Sequence, residues 1–433
     1  MVDPRSSIVA TGAAFPVDDI RRRFPAIARA GRFIFFDNAA GAQVPASVVD
    51  AVTDHLTARN VQRGGPYGRS REVDAMIVRA RESVAAFVNA RSADEIAFGL
   101  NATSFMRALS LAVGQTIDPA GRGASATRSE IVVTELDHEA NIATWLALER
   151  YGARIVWWRV RGDARLHPSD LEEVVGPQTR LIACTMASNA TGSLVDVAGA
   201  ARIARAAGAE LFVDAVHYAP HGPIDVQAID CDYLVCSGYK VFAPHMGFAW
   251  CRREAIAALP TFREHFIPDA MPDKLEAGTY SYESIAGVEA AIEYLHDLGS
   301  DAGRRGSRVE TLRLAMTAIA SYEQTLAREF LDAIEGIPGA AVHGVVDRDR
   351  LGERVPTLSF TVSGVDSTAI AAALATRDVG LRSGHMYSPR LIARLGLAGG
   401  GVVRASLVHY NTTAEIARFR AALIEVIDEA RSG

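Results

Sequence analysis

The sequence predicts an α/β fold: a large domain around a mostly parallel, seven-stranded sheet covered by helices on both faces, then a smaller α+β C-terminal domain. Three observations carry this expectation. Short β-rich runs recur between stretches of helical period. Those runs are apolar nearly throughout, as strands in a sheet covered on both faces must be. Past about residue 290 the texture changes to one long helical stretch, followed by alternating strand and helix.

In chain order the strand candidates are Ile96–Phe98, Ile131–Thr134, Ile155–Trp158, Leu181–Thr185, Leu211–Val213, Tyr233–Val235 and Gly247–Trp250. Their length and their β-branched and aromatic content fit short buried strands. Helical spacing covers Ser70–Asn89, Thr103–Val113, Glu139–Tyr151 and Val197–Ala207, where Gly208 supplies the stop. Pro119–Ser129, rich in Gly, Ala, Arg and Ser, reads as an exposed loop. Arg308–Ile334 runs without a breaker to Gly336-Ile337-Pro338-Gly339 and reads as the connection between two domains. Strands Thr357–Val362 and Val402–Val408 then alternate with helices Ser367–Thr376 and Thr413–Arg431.

At 433 residues the chain is long enough for two or three domains and a sizeable core. A net charge of −6 leaves no cationic footprint for nucleic acid or an anionic membrane, so small-molecule chemistry is the expectation. Met1–Pro16 lacks a basic stretch followed by an apolar one, and no apolar run reaches membrane-spanning length, so the chain reads as soluble and cytoplasmic. Cys184, Cys231, Cys236 and Cys251 sit in or beside strand-like runs without metal-ligand spacing. They read as reduced core residues, and no metal is expected.

The chemistry is concentrated at strand ends. The run Cys231-Asp232-Tyr233-Leu234-Val235-Cys236 delivers Ser237, Gly238, Tyr239 and Lys240 onto a loop, and Glu210-Leu211-Phe212-Val213 ends in Asp214. In open α/β sheets, ligands bind beyond the carboxyl ends of the strands. An amine and a carboxylate at neighbouring ends are what pyridoxal phosphate (PLP) requires. The lysine forms the Schiff base, and the aspartate keeps the pyridine nitrogen protonated so that the ring accepts electrons. His138, after the strand at Ile131–Thr134, is placed to lie flat on a cofactor ring. Ser188-Asn189-Ala190-Thr191-Gly192 follows another strand, and Asn101-Ala102-Thr103 opens a helix whose amides and hydroxyl suit a phosphate.

This ordered series, from Phe35-Phe36-Asp37-Asn38-Ala39-Ala40-Gly41 to Arg404-Ala405-Ser406-Leu407-Val408-His409-Tyr410-Asn411, resembles the class V aminotransferase family of PLP enzymes, in its cysteine desulfurase-like branch. The resemblance implies PLP-dependent fold type I, an amino-acid substrate, and a homodimer with interfacial active sites. It implies Lys240 as the Schiff-base lysine, Asp214 as the pyridinium partner and His138 as the stacking ring. Asn189 and His217 would bond the phenolic oxygen. Ala102, Thr103, Ser237 and Tyr239 would form the phosphate cup, with Thr279 reaching the neighbouring subunit's phosphate. Arg404 would fork the substrate carboxylate, with Ala40, Asn189, Arg382 and Tyr387 also lining the substrate site. The expected division is an N-terminal segment, 1–30, packing on the small domain, a large PLP-binding domain, 31–295, and a small C-terminal domain with its connecting helix, 296–433.

Two departures bear on function. Tyr239 stands where desulfurases carry a histidine before the lysine, a mild change, since a phenol still donates to phosphate. Leu381-Arg382-Ser383-Gly384-His385-Met386-Tyr387-Ser388 resembles their mobile loop, yet Tyr387 occupies the cysteine position, and no cysteine follows Cys251. Storing sulfur as a persulfide needs a thiolate. The expected activity is therefore a C–S lyase acting by β-elimination on a cysteine-derived substrate. The alternatives are an amino-acid epimerase resembling isopenicillin N epimerase, an aminotransferase or decarboxylating oxidative deaminase, and a non-catalytic scaffold.

Overall fold

A computed structural model describes residues 15–117, 128–301 and 306–432. Residues 1–14 of the expected N-terminal segment and most of the Pro119–Ser129 loop lie outside the described residues. The large sheet has seven strands in the order Ile96–Gly99, Gly247–Cys251, Tyr233–Ser237, Glu210–Asp214, Thr179–Thr185, Glu130–Thr134, Arg154–Trp158. Only Gly247–Cys251 runs against its neighbours. The others are parallel, so Asp214, Ser237, Thr185 and Thr134 end on one edge.

Each central strand feeds two cores because its side chains alternate. Leu181 and Ala183 face a cluster with Phe105, Leu109 and Trp145. Ile182 and Cys184 face the opposite cluster, with Val132, Leu211 and Leu234. Helix Val197–Ala207 starts at Asp196, whose carboxylate accepts the Gly199 N–H at 2.8 Å, and ends at Gly208 in the left-handed region. The expected Glu139–Tyr151 helix is shorter: it is α-helical over Ala140–Leu146 and tightens into a 3₁₀ turn over Ala147–Tyr151 before Gly152. Helices Ala46–Ala58 and Tyr282–Asp301, which the periodicity did not single out, pack together, and the second also packs on Gly68–Val88. No described helix is long and apolar enough to cross a membrane.

A second sheet, four antiparallel strands in the order Arg382–Gly384, Val402–Ser406, Thr357–Val362, Ala340–His343, has its own core. There Phe330 stacks on Phe419 at 4.9 Å between centroids, and Phe360 meets Phe419 edge-on. Phe24, in the N-terminal stretch, packs edge-on against Phe242, Tyr294 and Tyr410, and Arg21 donates to the Tyr410 carbonyl.

The long helix Arg308–Ile334 carries Glu323 into contact with His221, at 2.8 Å, in a fully covered position. Burial pushes the Glu323 carboxyl well above its usual range and takes His221 down to about 3. Burial thus favours the uncharged form of both groups, a carboxylic acid donating to an imidazole. An amide in its place keeps a donor, so Glu323→Gln should change unfolding free energy by less than about 1 kcal/mol. Glu323→Ala, which leaves His221 unsatisfied and opens a void, should cost roughly 2–3 kcal/mol. Denaturant melts of both variants check this; equal losses would mean that the pair is ionised.

Candidate active site

Strand Glu210–Asp214 ends in Asp214, and strand Tyr233–Ser237 runs into a 3₁₀ turn, Gly238–Lys240, that turns Lys240 inward. The turn needs glycine, since a Cβ on Gly238 would lie 2.8 Å from the Pro244 carbonyl oxygen. Gly247 does the same for the helix Ala102–Gly114, because a Cβ there would be 2.5 Å from the Asn101 backbone. The helix start thus sits directly on the sheet edge. Asn101 and Ser104 close it with a reciprocal capping box, and the Ala102 N–H donates to Ser237 Oγ at 3.0 Å. Thr103 is half-buried in the first turn.

Burial governs the ionisation of this cluster. It lowers the Lys240 ammonium to about 8, with Arg404 adding to the effect and Asp214 opposing it. It raises the Asp214 carboxyl to about 6 against the Val216 N–H, which donates to it at 2.9 Å. His138 falls to about 4 through burial, then through Lys240 and Arg404, so its ring is neutral at physiological pH. Its Nδ1 accepts the Ala140 N–H at 3.1 Å, which places the ring proton on Nε2. His217 is likewise held neutral, with Nε2 3.0 Å from Thr357 Oγ1.

Arg404 is buried and donates from Nη1 to the Asn189 carbonyl at 2.8 Å and from Nη2 to Asp37 Oδ1 at 2.9 Å. Asp37 Oδ2 accepts Arg382 Nη2 at 2.9 Å. One carboxylate therefore orients both predicted substrate-site arginines. Sequence reading passed over Asp37 as a site residue; the only local signal was its place at the head of the Asn38-Ala39-Ala40-Gly41 turn, because its partners lie more than 340 positions away.

The loop resembling a mobile segment is pinned. Met386 and Tyr387 both have left-handed backbones, at φ +53° and +58°, which costs each non-glycine residue about 1–2 kcal/mol. Four hydrogen bonds hold the turn. Asn189 Nδ2 donates to the Met386 carbonyl at 2.6 Å, the Glu139 N–H to the Tyr387 carbonyl at 2.8 Å, the Ser388 N–H to the His385 carbonyl at 2.8 Å, and the Tyr387 N–H to His385 Nδ1 at 3.0 Å. Asn189 thus fastens this loop, and Ser388 Oγ donates back to its Oδ1. The Tyr387 ring is 5.5 Å from that of His138. Tyr239 stacks on His245 at 5.0 Å. Ala40 and Thr279 are exposed, and Thr279 joins none of the bonds or ring contacts linking the others among the described residues.

The donor set fits PLP. An amine faces the aldehyde chemistry, a carboxylate suits a protonated ring nitrogen, a neutral imidazole supplies a flat face, and a helix start supplies N–H groups for phosphate. Two buried polar atoms, His217 Nδ1 and Arg404 Nε, have no hydrogen-bond partner among the described residues, and each suits an oxygen of a bound ligand.

The aminotransferase class-V family pattern matches residues 34–419. Aminotransferase-like protein FGM3 of Gibberella zeae is 34% identical over 428 residues, covering 96% of this chain and all of the relative. A probable cysteine desulfurase of Streptomyces coelicolor is 29% identical, covering 95% of this chain and 96% of that protein. The crystal structure of the cysteine desulfurase CsdA from Escherichia coli superposes with a TM-score of 0.80 at 27% identity, covering 97% of this chain and 99% of that one. The chain belongs to the class-V aminotransferase family, as a PLP-dependent, cysteine desulfurase-like enzyme of fold type I.

Proposed function

We propose that the enzyme acts at the α-carbon of an amino acid and cleaves a C–S bond by β-elimination, without passing sulfur to a protein thiol. The placement of the cysteines carries this reading. All four are fully buried in or beside the large sheet, burial pushes every thiol upward, and the loop residue whose ring lies 5.5 Å from that of His138 is Tyr387. A buried, protonated thiol is a poor nucleophile.

Bound PLP supplies the electron sink for the α-carbon electron pair. Arg404, its plane set by Asp37 and the Asn189 carbonyl, forks the substrate carboxylate. Lys240 Nζ, with its pKa brought down to about 8, takes the α-proton. The electron pair left at Cα expels the thiolate from Cβ, which leaves as the thiol; water then completes the release of pyruvate and ammonia. His138 would offer its flat face to the ring, and Asp214 would hold the proton on the ring nitrogen.

A specific observation favours epimerisation as a second reading. The pinned turn holds the Tyr387 ring beside His138, the ring assigned to one cofactor face, where a phenol is placed to return a proton opposite Lys240. Substrate incubation in deuterated water, followed for thiol, pyruvate and the configuration of recovered amino acid, separates the two. A homodimer is part of the same proposal, supported by the exposure of Leu100, beside the helix start, and of Phe262 and Phe266; molar mass in solution tests it.

Alkylating the native enzyme should leave at least about four-fifths of its activity, and incubation with cysteine should give no protein-bound persulfide, since no exposed thiolate is available. Alkylation-sensitive sulfur release with a persulfide mapped to any of the four cysteines would overturn the lyase reading.

A further inference from the structure

Asp37 has a second surface beyond its two arginines. Together with Phe33, Phe35, Tyr239, His245 and Leu381 it lines an open cavity of about 560 Å³. The cavity shares two wall residues with the neighbourhood of the reacting groups: Asp37 also bonds Arg404 and Arg382, and Tyr239 immediately precedes Lys240 in the chain. The walls are largely aromatic and aliphatic. Phe33 and Phe35 meet edge-to-face at 5.0 Å, and Tyr239 and His245 are stacked. Phe33 keeps 36% of its surface exposed, an apolar face without cover.

We infer that the site accepts an α-amino acid with an extended, apolar or aryl side chain, an S-substituted cysteine rather than free cysteine, whose substituent lodges in this cavity. The inference rests on the proposal that Arg404 holds the substrate carboxylate beside Lys240. Cavities of this size, about 300–1,000 Å³, accommodate molecules much larger than cysteine. The carboxylate of Asp37 is already committed to two guanidinium groups, so the cavity offers no free anion for a cationic side chain; its recognition is by apolar burial and ring contact. The space is kept open by small residues. A Cβ built on Gly41 would meet only Tyr239 Cδ2, at an ordinary 3.7 Å, and Gly41 does not need a left-handed backbone, so a larger side chain there extends into the void without strain.

Dissociation constants of the PLP-loaded enzyme for L-alanine, L-homophenylalanine and S-benzyl-L-cysteine test the inference. Homophenylalanine has no β-leaving group, so its binding is independent of the elimination chemistry. Both large amino acids should bind roughly 30-fold more tightly than alanine, the order that burial of one aromatic group supplies. Gly41→Leu should remove most of that ratio, and Phe33→Ala, at an exposed position, should reduce it without unfolding the chain. A ratio near one in the wild-type enzyme, or a ratio untouched by both variants, would overturn the inference. If S-benzylcysteine binds tightly but yields no pyruvate, the lyase reading fails and the cavity assignment stands. If only small S-substituted substrates turn over and the ratio is near one, the lyase reading stands and the cavity assignment fails.

Discussion

Lys240→Ala is expected to fold normally, to lose the visible absorption of the PLP-bound enzyme, and to turn over at least about 10³-fold more slowly. In the proposed reaction the side chain has two tasks at one atom: covalent attachment of the cofactor and removal of the α-proton. Alanine performs neither. Loss of stability is not expected, because a buried amine whose pKa is driven down by desolvation is a liability in the empty fold and its removal relieves it. The same shift sets a pH dependence. Capture of the cofactor needs the neutral amine, whose fraction rises about tenfold per pH unit below the pKa and levels above it. Stopped-flow capture of PLP by the apo protein should therefore accelerate up to about pH 8 and then flatten. A borohydride-reducible attachment at another lysine in Lys240→Ala would sink the assignment.

Asp214→Asn is expected to retain bound cofactor and its visible band, yet to lose about 10²–10³ in kcat. The carboxylate sits at a strand end where burial has raised its pKa to about 6, so it is ionised at neutral pH and gains stabilisation from any cation placed against it. An amide of the same shape carries no charge to hold a proton on the ring nitrogen. Because Asp214 also favours the charged form of Lys240, its removal should lower the lysine pKa further and move the cofactor-capture profile to lower pH. Near-normal turnover in Asp214→Asn would remove Asp214 from this role, whatever the fate of the band.

The contrast between these residues and Asp37 marks how far the sequence reaches. Asp214 and Lys240 are legible because each follows an apolar strand whose composition announces it, and a parallel sheet puts strand ends on one edge whatever the details of packing. The helix Val197–Ala207 is legible for the same local reason, with a capping aspartate before it and a glycine after it. By contrast, Ala46–Ala58 and Tyr282–Asp301 carry weaker local signals: the first has no side-chain cap at its start, and the second, although Ser281 Oγ accepts the Ser284 N–H at 3.3 Å, carries glycine inside it and owes its place to packing on its neighbours.

Periodicity, caps and strand-end residues are properties of a dozen neighbouring positions, so the α/β class, the seven strands and the placement of Asp214 and Lys240 at neighbouring strand ends were legible from local sequence. Tertiary structure alone decided that Asp37 orients Arg404 and Arg382, that Glu323 meets His221 across 102 positions, and that the turn at Met386 and Tyr387 is fastened by Asn189. It also decided that a cavity of about 560 Å³ is walled in part by Asp37, the partner of both arginines. The physical reason is the same in each case: hydrogen bonds and buried surface act over a few ångströms in space, and which distant residues come that close is set by how the sheets and their helices pack.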